Sequence, residues 1–210
     1  MKRYFLSALL AGAAFTYVDS ATLAAPVQWK VEDGGNGHYY EVVSVPGGIS
    51  WTDAKAAAEL GGGYLATITS QEENDFVYSL VDNDIYWGVF GSVRVNGPWL
   101  GGFHEAVGIP SEWKWVTGEP FTYSNWDSTQ PDYLIASGQT QNALHFYGFG
   151  TSLGDRTPMW DDDWQFSVNE LAYVVETVPE PSSIALLGIA CAAFAYQALR
   201  RGKRRFDQTA

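Results

Sequence analysis

The sequence predicts an α+β domain with an export segment at either end. Three observations predict it. The first half alternates strand-like runs with two capped helical segments; the second half changes to short aromatic strands broken by turns; and a long stretch from Thr117 to Asn142 carries little periodicity but several turn residues. A structureless run of that length inside a compact domain is usually functional.

Residues 1–25 read as a secretory signal: Lys2 and Arg3, an apolar stretch from Tyr4 to Phe15, then small residues through Ala24 and Ala25 that suit a signal peptidase. A retained membrane anchor is the alternative, and either one exports the domain that follows. Residues 26–37 form a lead-in, with Gly34 to Gly37 as a loop. Tyr39 to Val45 alternates aromatic or Val with polar residues, as a half-buried strand does. Ser50-Trp51-Thr52-Asp53 is a capping box, and Ala54, Ala57, Ala58 and Leu60 follow at helical spacing until Gly61-Gly62-Gly63 stops the helix. Tyr64 to Ile68 reads as a short buried strand. Ser70-Gln71-Glu72-Glu73 is a second capping box, opening a helix whose apolar face is Phe76, Val77, Leu80 and Val81; Asp82 and Asp84 read as its solvated end. Short strands are expected at Tyr86 to Phe90, Trp99 to Gly102, Trp113 to Val116, Leu144 to Phe146 and Ala172 to Val175.

Residues 178–210 form the far segment. Val178-Pro179-Glu180-Pro181 precedes an apolar run, residues 182–199, that would span about 27 Å as a helix, and a basic tail from Arg200 to Arg205 follows. This order resembles the PEP-CTERM sorting signal of bacteria, with Pro179, Glu180 and Pro181 as its motif. The resemblance implies exosortase-type sorting machinery as partner, an inner-membrane-anchored precursor, and delivery to the cell envelope or extracellular matrix. A plain transmembrane anchor is the alternative.

Composition excludes several function classes. The 210 residues carry 12 basic and 24 acidic side chains, and between Pro26 and Val178 the balance is 21 acidic against five basic, a net charge near −16. Nucleic acid is therefore not expected as a partner, because that affinity rests on Lys and Arg. Cys191 is the one cysteine, which excludes an intramolecular disulfide and a thiolate metal site. His38, His104 and His145 show no HExxH spacing or shared strand face, so no zinc site is expected; His145 reads as a hydrogen-bonded core or edge residue. No GxSxG, P-loop or Cys/His pair is present, and no enzyme is expected.

Residues 38–177 resemble a C-type lectin-like domain. The landmarks are Trp51-Thr52-Asp53-Ala54, Gly62 to Ile68, Glu73 to Phe76, Trp99-Leu100-Gly101-Gly102, Trp113-Lys114-Trp115, Thr117-Gly118-Glu119, Asn125-Trp126, Gln130-Pro131-Asp132, Trp160-Asp161-Asp162 and Tyr173 to Glu176. The fold implied has two helices flanking short antiparallel sheets, with a long loop region that carries calcium and ligand. The family's framework disulfides are absent, and aromatic packing is expected to carry the core instead. Trp99, Trp113, Trp115 and Trp126 are accordingly read as core.

The resemblance also implies a site. Gln130 and Asp132 occupy the tripeptide that ligates Ca²⁺ in the family, Asp161 and Asp162 its Trp-Asn-Asp motif, and Gln141 the place of a downstream Glu; Pro131 is implied to be cis. A hard cation takes six to eight oxygens and leaves positions for exchangeable ligands such as vicinal sugar hydroxyls. The implied function is a calcium-dependent, carbohydrate-binding lectin module, with Gln130, Asp132, Tyr133 and Asp161 at the ligand. A Gln-Pro-Asp tripeptide leans toward a galactose-type saccharide, stacked on Tyr133 or Tyr147. Two departures stand out: Asp161 replaces an Asn and so cannot donate, and Gln141 replaces a Glu. The alternatives are a calcium-independent interaction or structural module of the same fold and, less favoured, a glycan-processing enzyme using Glu119 with Asp132 or Asp161.

Overall fold

The computed structural model describes residues 22–91, 93–105, 112–133, 135–136 and 139–179. Residues 1–21 and 180–210 lie outside this range, and with them most of the predicted signal, Glu180, Pro181 and the apolar run 182–199. Among the described residues, no helix is long and apolar enough to cross a membrane.

Among the described residues, twelve strands and two α-helices follow one another: β1 (Thr22–Leu23), β2 (Val27–Gln28), β3 (Tyr39–Ser44), α1 (Trp51–Leu60), β4 (Tyr64–Leu65), α2 (Gln71–Val81), β5 (Gly88–Phe90), β6 (Arg94–Phe103), β7 (Lys114–Trp115), β8 (Ile135–Ala136), β9 (Gln139–Thr140), β10 (Ala143–Phe149), β11 (Met159–Asp163) and β12 (Ala172–Thr177). One sheet runs β1-β3-β12-β6-β10-β11, with β2 on β3, β4 on β12, and β5 and β7 on β6; β8 and β9 pair separately. The sheet takes in β1, so pairing reaches back into the segment read as signal, with Thr22 opposite Ser44.

Both helices start at the predicted caps. Ser50 Oγ accepts the Asp53 N–H and Ser70 Oγ the Glu73 N–H, each at 3.1 Å, which satisfies a donor that the first helical turn leaves open. Helix α1 buries Trp51, Ala54 and Ala58. The Trp51 indole N–H donates to Leu100 O at 2.8 Å and fixes the helix to β6. Helix α2 buries Glu73, Asn74, Val77 and Val81. The Tyr40 hydroxyl donates to Glu73, while Glu176 accepts from the Thr67 N–H at 2.9 Å and His38 Nδ1 lies 2.6 Å from its other oxygen. These buried polar groups tie α2 to β3 and β12.

Aromatic rings carry the rest. Trp115 stacks on Phe121 at 4.9 Å between centroids, Trp113 lies 4.8 Å from Trp126, and Trp126 meets Trp160 edge-on at 5.8 Å. Trp99, Trp115 and Trp160 are buried, as are most of the landmark tryptophans. The aperiodic stretch is thus not free of the core, since Phe121, Tyr123, Trp126 and Tyr133 pack against it. Asp82 and Asp84 are the exposed end of α2, as expected, and Arg156 reaches across to both, with Nε 2.5 Å from Asp82 and Nη1 2.6 Å from Asp84. Strand β11 is not among the strands expected from the sequence.

Candidate functional site

The loop is brought to the sheet by backbone pairing. Trp126 forms a parallel bridge with Trp160; the Trp160 N–H donates to Asn125 O and the Asp127 N–H to Trp160 O, both at 2.9 Å. This pairing lays Gln130-Pro131-Asp132 over the acidic end of β11. The Gln130–Pro131 peptide is cis, as the resemblance implies. Tyr133 then adopts a φ of 50°, in the left-handed region rare for a bulky residue. Two successive N–H groups consequently grip one carboxylate: Asp132 N–H donates to Asp162 Oδ1 at 3.1 Å and Tyr133 N–H to Oδ2 at 3.2 Å. Gln130 Oε1 accepts the same Asp132 N–H at 2.9 Å.

Successive side chains of a strand face opposite ways. Asp162 meets the loop, and Asp161 turns to Arg94, whose Nη2 lies 2.6 Å from Oδ2. Both carboxylates are fully buried. Burial pushes Asp161 up to about 7 against the pull of Arg94, with the Asp132 charge adding to the rise. Asp162 is likewise pushed up to about 7 by burial, then by the charges of Asp161 and Asp132, and the two backbone N–H groups oppose the shift. The charges of Asp132, Asp161 and Asp162 act on one another here, and Arg94 pairs with Asp161. With Gln130 Oε1 beside them, the donors are all oxygen, which suits a hard divalent cation.

Not every expected residue joins this cluster in the same way. Gln141 is buried at the end of the loop, where its carbonyl accepts from His104 Nε2 at 2.8 Å. The His104 ring packs edge-on against Tyr133 at 5.3 Å, so Gln141 adjoins the tripeptide through His104. The Tyr133 hydroxyl accepts from Trp113 Nε1 at 3.3 Å, and its ring is half-buried against the core. Tyr147 is corrected: only 3% of it is exposed, so its ring has no open face on which a sugar could stack. A cleft of about 390 Å³ opens beside His104, lined by Trp51, Lys55, Phe103, Glu105, Asn142 and Gln165.

Sequence reasoning missed Arg94 and His104. Arg94 explains the Asp-for-Asn departure at position 161, because an acceptor-only carboxylate is what a guanidinium needs. The available signal was scarcity: in a domain with five basic residues, an Arg at a strand end is a candidate partner for any buried acid.

Residues 48–143 match the family model described as the lectin C-type domain. The asialoglycoprotein receptor 2 of Rattus norvegicus is 28% identical over 163 residues, covering 74% of this chain and 44% of the receptor. The type-2 ice-structuring protein of Hemitripterus americanus is 30% identical over 99 residues, 47% of this chain and 49% of that protein. The chain thus spans less than half the length of either relative. Among solved structures, the herring type II antifreeze protein superposes with a TM-score of 0.50 at 20% identity, covering 70% of this chain and 94% of that one, a likeness of fold alone. Landmarks, fold and family match agree: the chain carries a C-type lectin-like domain.

Proposed function

We propose that the chain is an exported, calcium-dependent carbohydrate-binding module acting at the cell envelope or extracellular matrix. The observation that carries this reading is the convergence of Asp132, Asp161 and Asp162 beside Gln130 Oε1, an all-oxygen donor set. Gln130, Asp132 and Asp162 would hold the ion, with Asp161 shared with Arg94. Calcium bound there offers open coordination positions to vicinal sugar hydroxyls. The protein's own part is to hold the loop: Asp162 grips its backbone, and the aromatic stack below keeps it in place. A galactose-type saccharide follows from the tripeptide. Residues 1–25 would direct export, and Pro179-Glu180-Pro181 with residues 182–199 would anchor and sort the precursor.

A second reading is favoured by one contact. Arg94 already neutralises part of the cluster, so a calcium-independent interaction module of the same fold is the alternative. Calorimetric titration of calcium into the metal-stripped chain, beside Asp132→Ala and Asp162→Ala, separates the two. One equivalent bound by the parent and lost in both variants supports the lectin, and a glycan screen with and without chelator then identifies the sugar. No binding at millimolar calcium selects the second reading. Cell fractionation and the mass of the mature chain test export and processing.

A further inference from the structure

Behind the calcium-type cluster lies a second group of polar side chains with a different chemistry. His145 stands on β10, Asp163 at the end of β11, Glu170 in the link before β12 and Asn96 on β6. One atom each of His145, Asp163 and Glu170 lie within 4.8 Å of one another. His145 and Glu170 are fully buried, Asn96 is 1% exposed and Asp163 9%.

The hydrogen bonds define what these groups offer. His145 Nδ1 is 2.6 Å from Phe146 O; a carbonyl only accepts, so Nδ1 carries the proton and Nε2 is left with a lone pair. Nε2 has no hydrogen-bond partner, and its nearest charged oxygen, Asp161 Oδ2, stands 3.8 Å away. Asn96 Nδ2 donates to Glu170 Oε1 at 2.9 Å, which turns the amide oxygen away from that bond; Asn96 Oδ1 and Glu170 Oε2 are also without a partner. Three buried acceptors from three segments thus lack a donor. Native interiors rarely leave such groups unpaired, and a bound ion is one of the partners that satisfies them. Arg94 cannot serve, because it is bonded to Asp161. Burial and the Asp163 charge push the Glu170 carboxyl well up, so Glu170 holds a proton in the metal-free chain, which a bound cation would displace.

We propose that His145 Nε2, Asp163 and Glu170 form a buried structural site for a divalent cation of the zinc class. An imidazole nitrogen with two carboxylates suits that class, whereas calcium takes oxygens alone. Buried donors from three segments make the site structural, fastening β10, β11 and the β11–β12 link. The sequence concealed the site because its histidine and acids are separated along the chain and meet only through strand pairing.

The test uses the full chain, stripped of metal and then saturated with calcium, titrated with Zn²⁺ and, separately, with Co²⁺. One equivalent of Zn²⁺ is expected, with a higher melting temperature, visible Co²⁺ absorption bands and a shift of the His145 Nε2 resonance. His145→Gln and Glu170→Gln should each weaken Zn²⁺ binding about tenfold or more, while Asp132→Ala leaves it unchanged and loses calcium. No Zn²⁺ binding at millimolar metal overturns the site, as does equal affinity in both variants. Loss of Zn²⁺ binding in Asp132→Ala would move the metal to the loop cluster and overturn it too. Should the variants misfold, an unshifted Nε2 resonance in the zinc-bound parent chain is decisive against it. The calcium reading stands or falls separately, on the Asp132 variant alone.

Discussion

Lowering the pH should release calcium from the loop cluster, and the structure sets the size of the effect. Asp161 and Asp162 titrate near 7 in the folded chain against an ordinary 3.8. Their folded values are raised, so their contribution to the stability of the metal-free protein is fully present below about pH 4 and is lost as pH rises through about 7. A rise of some three pH units corresponds to about 4 kcal/mol for each group, a large share of a domain's stability. Calcium needs the ionised carboxylates, so it must displace whatever protons they hold. At pH 7 each group is half protonated and binding releases about one proton in all. Below 7 the affinity falls by up to about 100-fold per pH unit, one decade for each carboxylate. Calorimetry at pH 5, 6, 7 and 8, in two buffers of different ionisation enthalpy, measures both the affinity and the proton count. An affinity that is flat from pH 6 to 8, with no proton released, would refute the reasoning, because the ion would then bind elsewhere or the carboxylates would already be charged.

Four further perturbations follow from single contacts. Arg94→Met removes the cation facing Asp161, so the metal-free chain should lose about 3 kcal/mol in urea unfolding while calcium affinity rises, since less positive charge opposes the ion. Gly48 has a φ of 81°, and a Cβ there would sit 1.9 Å from Val168 O; Gly48→Ala should cost more than about 2 kcal/mol, read as a fall in melting temperature. Ser70→Ala removes the α2 cap and should cost about 1 kcal/mol in the same assay. Trp160→Phe keeps the ring stacking but leaves Asn74 Oδ1, now bonded to the indole at 2.8 Å, unpaired in the core; about 1–3 kcal/mol of stability should be lost.

The helices were the most legible part of this chain, because their signals are local. Ser50 and Ser70 act on N–H groups three residues away, and the apolar spacing that follows lies within a few turns. Strands β3, β6, β10 and β12 were legible for a similar reason, although β6 and β10 extend beyond the aromatic runs that marked them. Strand β11 was not, since Met159–Asp163 has the composition of a solvated turn and becomes a buried strand only through pairing with β10 and cover from the loop.

The candidate site divides along the same line. The sequence by itself determined the residue types and their order: Gln130-Pro131-Asp132, then Trp160-Asp161-Asp162, an oxygen-rich set in a strongly acidic domain. Only the tertiary structure decided that Asp162 faces the loop backbone, that Asp161 pairs with Arg94 from 67 positions away, that Tyr147 is buried, and that His145 meets Asp163 and Glu170. The physical reason is that a cap or a periodic face depends on neighbours within a turn of chain. The charge state and partner of a buried acid depend instead on which distant strands are laid beside it.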